Sequence, residues 1–235
     1  MKSRHAARLI FKIDFKPVKK GAYYFDMTTL VLTKLLLGEI NKDDRVLDMG
    51  TGISSIIGLT LWKRCGCYVI CSDINPEIVS MAQENVEFNH ASIQVKHSNL
   101  FENIEEDFDI VVFNPPYVPT KQGTTSNLSK QFQSQWDGGD DGSSIVKQFL
   151  DELHQVKRSI RAYVGINYWY LPKEKFLPMI EIKKDLKLRE IYRHTFLPIE
   201  VFIIEKKIDT YSHENHDWSV LSNILISKFE KLITK

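Results

Sequence analysis

The chain has 235 residues, of which 43% are hydrophobic and 26% are charged, and its formal net charge at pH 7 is +1. This length suits one α/β domain with a large core and short terminal extensions, but two full domains would be cramped. The near-zero charge gives no general reason to bind a polyanion, and the apolar runs are too short to span a bilayer. We expect a soluble protein, and the N-terminus, which lacks the features of a secretory signal, indicates the cytoplasm.

The first twenty residues are basic, with seven lysines or arginines and one aspartate. We interpret this run as a solvated face, with an RNA-facing or acidic-partner surface as the alternative. A β-hairpin is predicted there from apolar residues that alternate with other positions: Leu9, Phe11, Ile13 and Phe15. Helical apolar spacing then predicts a helix from Thr28 to about Gly38. Residues 1–38 are therefore assigned to an N-terminal hairpin and helix cap.

Strands and helices alternate from residue 39 to residue 207, which we assign to one domain. Strands are predicted at about 45–49, 68–73, 93–97, 108–113, 163–169 and 200–205. The runs RVLDMG and DIVVFN are almost continuously apolar, which is typical of strands covered by helices on both faces. A helix from Pro76 to Asn89 is marked by Asn75 as its cap. The fold class predicted is α/β, with a Rossmann-like, doubly wound, mostly parallel seven-stranded sheet.

Three further segments complete the organisation of the chain. Residues 120–142 are polar and too long for an ordinary connection, and their position favours a functional role over disorder. Residues 208–235 are assigned to an extension that ends in an amphipathic helix, expected to pack on its own domain. The three cysteines, Cys65, Cys67 and Cys71, fit neither a zinc site nor a disulfide framework and are predicted to be free thiols. No metal site is expected.

A nucleoside-binding site is indicated where two strands end. Asp48, Gly50 and Gly52 close the first strand, where glycines allow a sharp turn and a close approach of the backbone to a ligand. Asp73 ends the next strand, where its carboxylate can accept both hydroxyls of a ribose. A dinucleotide dehydrogenase would have a third glycine where Ser55 stands, and the Gly-Lys-Ser/Thr ending of a P-loop is missing.

Asn114-Pro115-Pro116-Tyr117 follows the fourth predicted strand. Two successive prolines make a rigid turn that presents its side chains in one geometry. The Asn114 side-chain oxygen and the Pro115 carbonyl can each accept one N–H of a planar NH2 group, and Tyr117 can lie against that group. The sequence therefore predicts methyl transfer to a planar nitrogen without a metal or a general base. A simple strand-ending turn is the alternative.

These motifs resemble those of the class I S-adenosylmethionine-dependent methyltransferases and, within them, the HemK family of protein N5-glutamine methyltransferases. The segments that carry the resemblance occur in the family's order: VLDMGTG, SDINPEIVSMAQENV, SNLFENIEEDFDIVVFNPPYVP and QWDGGDDGSSIVKQFLDEL. The resemblance implies S-adenosylmethionine as the cofactor and the glutamine amide of a translation release factor as the methyl acceptor. The Gly-Gly stretch at Gly138 and Gly139 favours this family over the nucleic-acid enzymes with the same catalytic motif.

The resemblance also extends the predicted cofactor contacts, which are Thr29, Asp48, Gly50, Thr51, Gly52, Asp73, Ile74, Asn99, Leu100 and Asn114. Three departures from the family pattern stand out. Ser54 replaces a glycine, Phe25-Asp26-Met27 replaces a segment with Pro and Glu, and Asn99 replaces an aspartate. The alternative role of Thr29 is that of a helix N-cap hydroxyl.

Two other functions compete with glutamine methylation. Adenine-N6 methylation of RNA or DNA presents the same planar NH2 group, so the catalytic motif does not separate the two substrates. An idle methyltransferase fold that serves as a scaffold is disfavoured because both the glycines and the catalytic motif are present. The chain also resembles compact archaeal and eukaryotic family members that work with a small zinc-binding activator subunit, which suggests such a partner. No membrane partner is expected.

Overall fold

The computed structural model describes residues 4–17, 24–128 and 130–207. Its elements, in chain order, are α1 (Arg4–Phe11), α2 (Met27–Glu39), β1 (Arg45–Met49), α3 (Ile56–Cys65), β2 (Tyr68–Asp73), α4 (Pro76–Phe88), β3 (Gln94–His97), β4 (Ile110–Phe113), α5 (Thr120–Thr125), a 3₁₀ turn (Gln133–Gln135), α6 (Ser144–Gln155), β5 (Ile160–Asn167), α7 (Lys173–Glu181), β6 (Leu186–Arg193) and β7 (Ile199–Lys206).

The seven strands form one sheet in the order β3-β2-β1-β4-β5-β7-β6. Strands β1 to β5 are parallel, whereas β7 runs antiparallel to both β5 and β6. The predicted mostly parallel, seven-stranded, Rossmann-like sheet is thus confirmed. The strand order reverses between β1 and β4, and a crevice for a ligand forms outside the carboxyl ends of the strands at such a point.

Helices cover both faces of the sheet, which explains the almost continuously apolar strands. On one face, Leu32 and Leu36 of α2 join a buried cluster with strand residues such as Val112. On the other, Phe149 of α6 and Phe176 of α7 join a second cluster. Alternate residues of each strand therefore lie in different halves of the core.

The N-terminal prediction was wrong in part, because Arg4–Phe11 forms helix α1 and not the first strand of a hairpin. Ala7 and Phe11 lie one helical turn apart and are both buried, and the ring of Phe11 packs edge-on against Phe25 at 4.9 Å. Residues four positions apart lie on the same face of a helix, so Ala7 and Phe11 are buried together. The alternation of apolar residues in the sequence concealed this helical spacing. Residues 18–23, where the hairpin turn was predicted, lie outside the described residues, and so does the predicted C-terminal extension.

Several smaller features complete the description. Within the described part of the chain the three cysteines are free, with Cys67 and Cys71 buried. None of the described helices is both long and apolar enough to cross a bilayer. The described residues also contain no cluster of His, Cys, Asp or Glu side chains suited to a metal ion.

Candidate active site

A cavity of about 250 Å³ opens at the carboxyl ends of β1, β2 and β4. All ten predicted cofactor contacts line it: Thr29, Asp48, Gly50, Thr51, Gly52, Asp73, Ile74, Asn99, Leu100 and Asn114. Pro116 of the predicted catalytic motif lines it as well, whereas Pro115 and Tyr117 do not. The sequence motifs thus converge on one cavity, although they are separated along the chain.

The loop after β1 turns tightly because both of its glycines adopt left-handed backbone conformations. The φ angles are 63° at Gly50 and 65° at Gly52, values that side chains with a Cβ rarely adopt. The Thr51 N–H donates to the Ser72 carbonyl at 2.9 Å, and the Gly52 N–H donates to Asp73 Oδ2 at 3.2 Å. These bonds fix the loop against the end of β2.

The carboxyl group of Asp73 faces the cavity at the end of β2. Its Oδ1 accepts the Asn75 N–H at 3.0 Å, and its Oδ2 accepts the Gly52 N–H. Burial raises the pKa of Asp73 to about 6, against the lowering effect of these backbone donors. Each carboxylate oxygen has a further lone pair, so the group is suited to accept the two neighbouring hydroxyls of a ribose.

Asp48 organises the loop and the helix that follows it. Its Oδ2 accepts the Thr51 hydroxyl at 2.7 Å and the Gly58 N–H at 2.9 Å. Burial raises the pKa of Asp48 to about 6 despite these donors. A Cβ at Gly58 would stand 2.5 Å from the Cys71 sulfur, so this glycine, which sequence reasoning missed, lets α3 approach β1 and β2 closely.

Asn114 is held by a network that reaches the start of α2. Its Nδ2 donates to Asp26 Oδ1 and to Thr29 Oγ1, both at 3.1 Å. The Thr29 hydroxyl donates in turn to Asp26 Oδ1 at 2.8 Å. The network joins the end of β4 to a helix 88 positions earlier in the sequence.

This network determines which end of the Asn114 amide is bonded to the start of α2 and which end is left without a partner. A carboxylate only accepts hydrogen bonds, and the Thr29 proton is directed at Asp26, so both groups require the NH2 end of Asn114. The Asn114 oxygen Oδ1 is buried and accepts no hydrogen bond from the described residues. A buried acceptor without a partner costs free energy, so Asn114 Oδ1 is a candidate acceptor for a ligand N–H.

Asp26 was missed as a site residue by sequence reasoning. It is the N-cap of α2, because its side chain accepts the Thr29 N–H at 2.7 Å. The alternative role of Thr29 as the capping residue was therefore wrong, since Thr29 lies inside the first turn. The detectable signal was the Asp-x-x-Thr spacing before an apolar helix, because aspartate is among the preferred capping residues.

Tyr117 lies beneath the surface, not on the cavity wall. Its hydroxyl is 2.6 Å from Thr28 Oγ1, and its ring stacks 6.2 Å from that of Tyr170. Two glycines pack directly against the Tyr117 backbone. A Cβ at Gly138 would stand 2.8 Å from the Tyr117 Cα, and a Cβ at Gly142 would stand 2.4 Å from the Tyr117 carbonyl oxygen. These glycines allow close packing against the Asn-Pro-Pro-Tyr turn, and direct contact between Tyr117 and a substrate stays a prediction.

The polar segment 120–142 is folded over the cavity in its described part, which omits residue 129. Ser134, Gln135 and Asp137 line the cavity. Trp136 packs flat on α5, where a Cβ at Gly123 would stand 2.0 Å from its ring. The Gln135 oxygen is a second buried acceptor without a hydrogen-bond partner in the described chain. Gln135 lies beside the loop after β1, since a Cβ at Gly52 would stand 3.8 Å from its Nε2. It is therefore a cofactor-binding candidate that sequence reasoning did not identify.

Comparison with known proteins shows what this chain is similar to. The methyltransferase small domain family matches residues 22–137. A Methanocaldococcus jannaschii protein named as a protein N5-glutamine methyltransferase is 36% identical over 125 residues, which are 53% of this chain and 61% of the relative. The release factor glutamine methyltransferase of Streptococcus pneumoniae is 32% identical over 148 residues, covering 61% of this chain and 51% of the relative.

Among solved structures, the chain is similar to one of the E. cuniculi Mtq2–Trm112 complex, which is described as responsible for methylation of the eRF1 translation termination factor. The TM-score is 0.53 at 23% identity, with 80% of this chain and 98% of the other covered. In its sheet order the chain is similar to Rossmann-like methyltransferases. In sequence it is similar to the methyltransferase small domain family and to relatives named as glutamine methyltransferases. It spans less than two thirds of the two curated relatives.

Proposed function

We propose that the chain is an S-adenosylmethionine-dependent N-methyltransferase that modifies the glutamine amide of a translation release factor. The observation that carries this proposal is the buried Asn114 oxygen, which has a fixed direction and no hydrogen-bond partner among the described residues. The curated relatives named for glutamine methylation support the choice of acceptor.

The cavity fits the proposed cofactor by the chemistry of its lining. Asp73 would accept the ribose hydroxyls, the turn at Gly50 and Gly52 would let the backbone approach the ligand, and the Gln135 oxygen would accept a further donor. Asp26 adds carboxylate charge to the wall, which favours a cation. When bound, S-adenosylmethionine supplies an electrophilic methyl group on a positively charged sulfur.

The chain's own residues orient the acceptor. An amide nitrogen is a weak nucleophile because its lone pair is delocalised. Asn114 Oδ1 would accept one N–H of the glutamine amide and the Pro115 carbonyl the other, so the nitrogen is held with its lone pair toward the methyl group. These acceptors also stabilise the positive charge that the nitrogen gains in the transition state.

The remaining expectations belong to the same proposal. Residues 39–207 would form the catalytic domain, with residues 1–38 as a cap and 208–235 as an extension. A small activator subunit is proposed as a partner because the E. cuniculi relative forms a complex with Trm112. The cytoplasm is the proposed location, since translation termination takes place there.

The test is methyl transfer from labelled S-adenosylmethionine to a purified release factor and, in parallel, to bulk RNA. Asn114→Ala should lower turnover by at least about 100-fold, as the loss of one transition-state hydrogen bond does elsewhere, with almost unchanged cofactor affinity by calorimetry. Asn41→Ala, an exposed asparagine before β1 at the opposite edge, is the control. Label found only in RNA would reject the glutamine assignment, and full turnover of Asn114→Ala would reject the role of Asn114.

A further inference from the structure

Two large aromatic side chains are exposed at the same edge of the sheet as the catalytic turn. Trp169, directly after β5, is 73% exposed, and Phe196, in the turn between β6 and β7, is 89% exposed. The two turns are joined by the Tyr168 N–H, which donates to the Pro198 carbonyl at 3.0 Å. We call Tyr168, Trp169 and Phe196 the aromatic shelf.

Strand register places the shelf beside the active site. β4 and β5 are parallel, so the turn after β5 lies at the edge where Asn114 follows β4. Asn167 pairs with Ile199 of the antiparallel β7, which brings the β6–β7 turn to that edge too. Tyr170, the residue after Trp169, stacks on Tyr117. The turn that carries Trp169 therefore packs, through Tyr170, against the Asn-Pro-Pro-Tyr turn.

The charges around this edge do not suit a polyphosphate. The Arg193 guanidinium lies 5.6 Å from the centre of the Tyr168 ring, and it is paired with the buried carboxylate of Glu200. Lys175 at the start of α7 is paired with Asp141. These two positive charges near the shelf are thus each paired with a carboxylate, whereas RNA binding relies on uncompensated lysines and arginines.

Two of the side chains that line the cavity are carboxylates, Asp26 and Asp137, and Asp140 and Asp141 follow Asp137 in the sequence. Hydrogen bonds from Ser143 lower the pKa of Asp141. Burial alone would raise the pKa of Asp137, but hydrogen bonds from Thr120 and Gln133 outweigh it and the pKa is lowered. The lowered pKa of Asp137 keeps its charge negative, and because Asp137 lines the cavity it disfavours phosphates and favours basic side chains.

Single exposed apolar residues are common on soluble proteins. Here, however, a tryptophan and a phenylalanine share one surface that adjoins the catalytic turn, and aromatic side chains of this kind dominate binding at protein interfaces. We propose that the aromatic shelf is the docking surface for the folded body of the protein substrate, which meets it with apolar and basic side chains. The inference rests on the proposed function, because it assigns the substrate of that same site.

The test compares a complete release factor with a short peptide that carries only the glutamine and its neighbours. Trp169→Ala combined with Phe196→Ala should raise KM and the dissociation constant for the complete factor by about tenfold or more. The kcat for the factor and the KM for the peptide should stay unchanged, because the peptide does not reach the shelf. Both residues are exposed, so the melting temperature should not change.

Ile182→Ala is the matched control. Ile182 is also 73% exposed, but it follows the end of α7 at the opposite edge of the sheet. Its substitution should leave binding of the factor unchanged. An equal loss with Ile182→Ala, an equal loss for the peptide, or a shelf variant that binds the factor normally would each overturn the docking proposal.

The outcomes also separate this inference from the proposed function. If the peptide is methylated but the shelf variant binds the factor as well as the wild type does, the docking surface is wrong and the function stands. If neither peptide nor factor is methylated but the factor binds wild type more tightly than the shelf variant, the docking surface stands and the function is wrong. If bulk RNA, and not the factor, loses binding in the shelf variant, the substrate class assigned to the shelf is wrong.

Discussion

Removal of the Asp26 carboxylate tests whether the start of α2 controls the orientation of the Asn114 side-chain amide. Three donors converge on Asp26 Oδ1: the Thr29 N–H at 2.7 Å, the Thr29 hydroxyl at 2.8 Å and the Asn114 Nδ2 at 3.1 Å. In Asp26→Ala the Thr29 hydroxyl loses its acceptor and becomes free to donate to Asn114. The Asn114 amide can then rotate by half a turn and direct its NH2 group at the substrate.

Two effects of different size should follow. Loss of the helix cap should lower the free energy of unfolding by about 0.5–2 kcal/mol. A hydrogen bond to a charged group contributes about 1.5–3 kcal/mol, and we take the lower half of that range because Asp26 is exposed to solvent. Since 1.36 kcal/mol corresponds to a factor of ten, we expect kcat to fall by about 10- to 40-fold.

The assay is steady-state methyl transfer to the glutamine peptide, with cofactor affinity and unfolding measured on the same preparations. Asp26→Asn is the matched control, because its side-chain oxygen can still cap the helix and accept from Asn114. It should recover most of the lost kcat. If Asp26→Ala loses stability but keeps its kcat, Asp26 is only a helix cap. If Asp26→Asn is as slow as Asp26→Ala, kcat depends on the negative charge of Asp26 and not on the hydrogen bonds that its side chain accepts.

Two further predictions concern the cofactor loop. Gly58→Ala should destabilise the fold by about 1–3 kcal/mol in chemical denaturation, because the added methyl group overpacks against the Cys71 sulfur. Gly38→Ala is the control and should be neutral or slightly stabilising, because a Cβ there meets nothing within 4 Å. Equal effects of the two substitutions would contradict the close approach of α3 to the sheet. Because the pKa of Asp73 is raised to about 6, its carboxylate is ionised above that pH, and calorimetry should show full cofactor affinity near pH 8 and a loss of up to about tenfold per unit below pH 6. Asp73→Asn should weaken this dependence, and any part that remains is expected from Asp48, whose pKa is also raised to about 6. A wild type with pH-independent affinity would exclude the Asp73 carboxylate as the acceptor.

The parts of the fold that sequence predicted are those where local pattern and tertiary environment agree. β1 and β2 were predicted with their observed bounds, because strands covered on both faces are continuously apolar. The start of α4 was predicted because Asn75 caps it and Pro76 occupies its first turn, as observed. β6 was missed because it is an edge strand with several charged and exposed residues, and its register shifts between Leu188 and Glu190.

The site could be predicted only as far as its residues lie in recognisable local motifs. Strand ends place Asp48, Asp73 and Asn114 at one edge whatever the details of packing. Asp26 could not be found in this way, because its role depends on a contact across 88 positions with Asn114. Gln135 was missed for the same reason, since its segment has no regular pattern and reaches the cavity only through the packing of its neighbours.

The contacts of α2 also bear on where the catalytic unit begins. The Ser54 hydroxyl of the cofactor loop donates to the Tyr24 carbonyl at 2.6 Å, and Thr28 bonds the Tyr117 hydroxyl. Together with the bond from Asn114 to Asp26, these contacts join the segment before residue 39 to both the cofactor loop and the catalytic turn. A boundary at residue 38 would separate the Asn114 amide from the acceptor that orients it, so we expect a minimal active fragment to need residues 24–38 together with the domain assigned to residues 39–207.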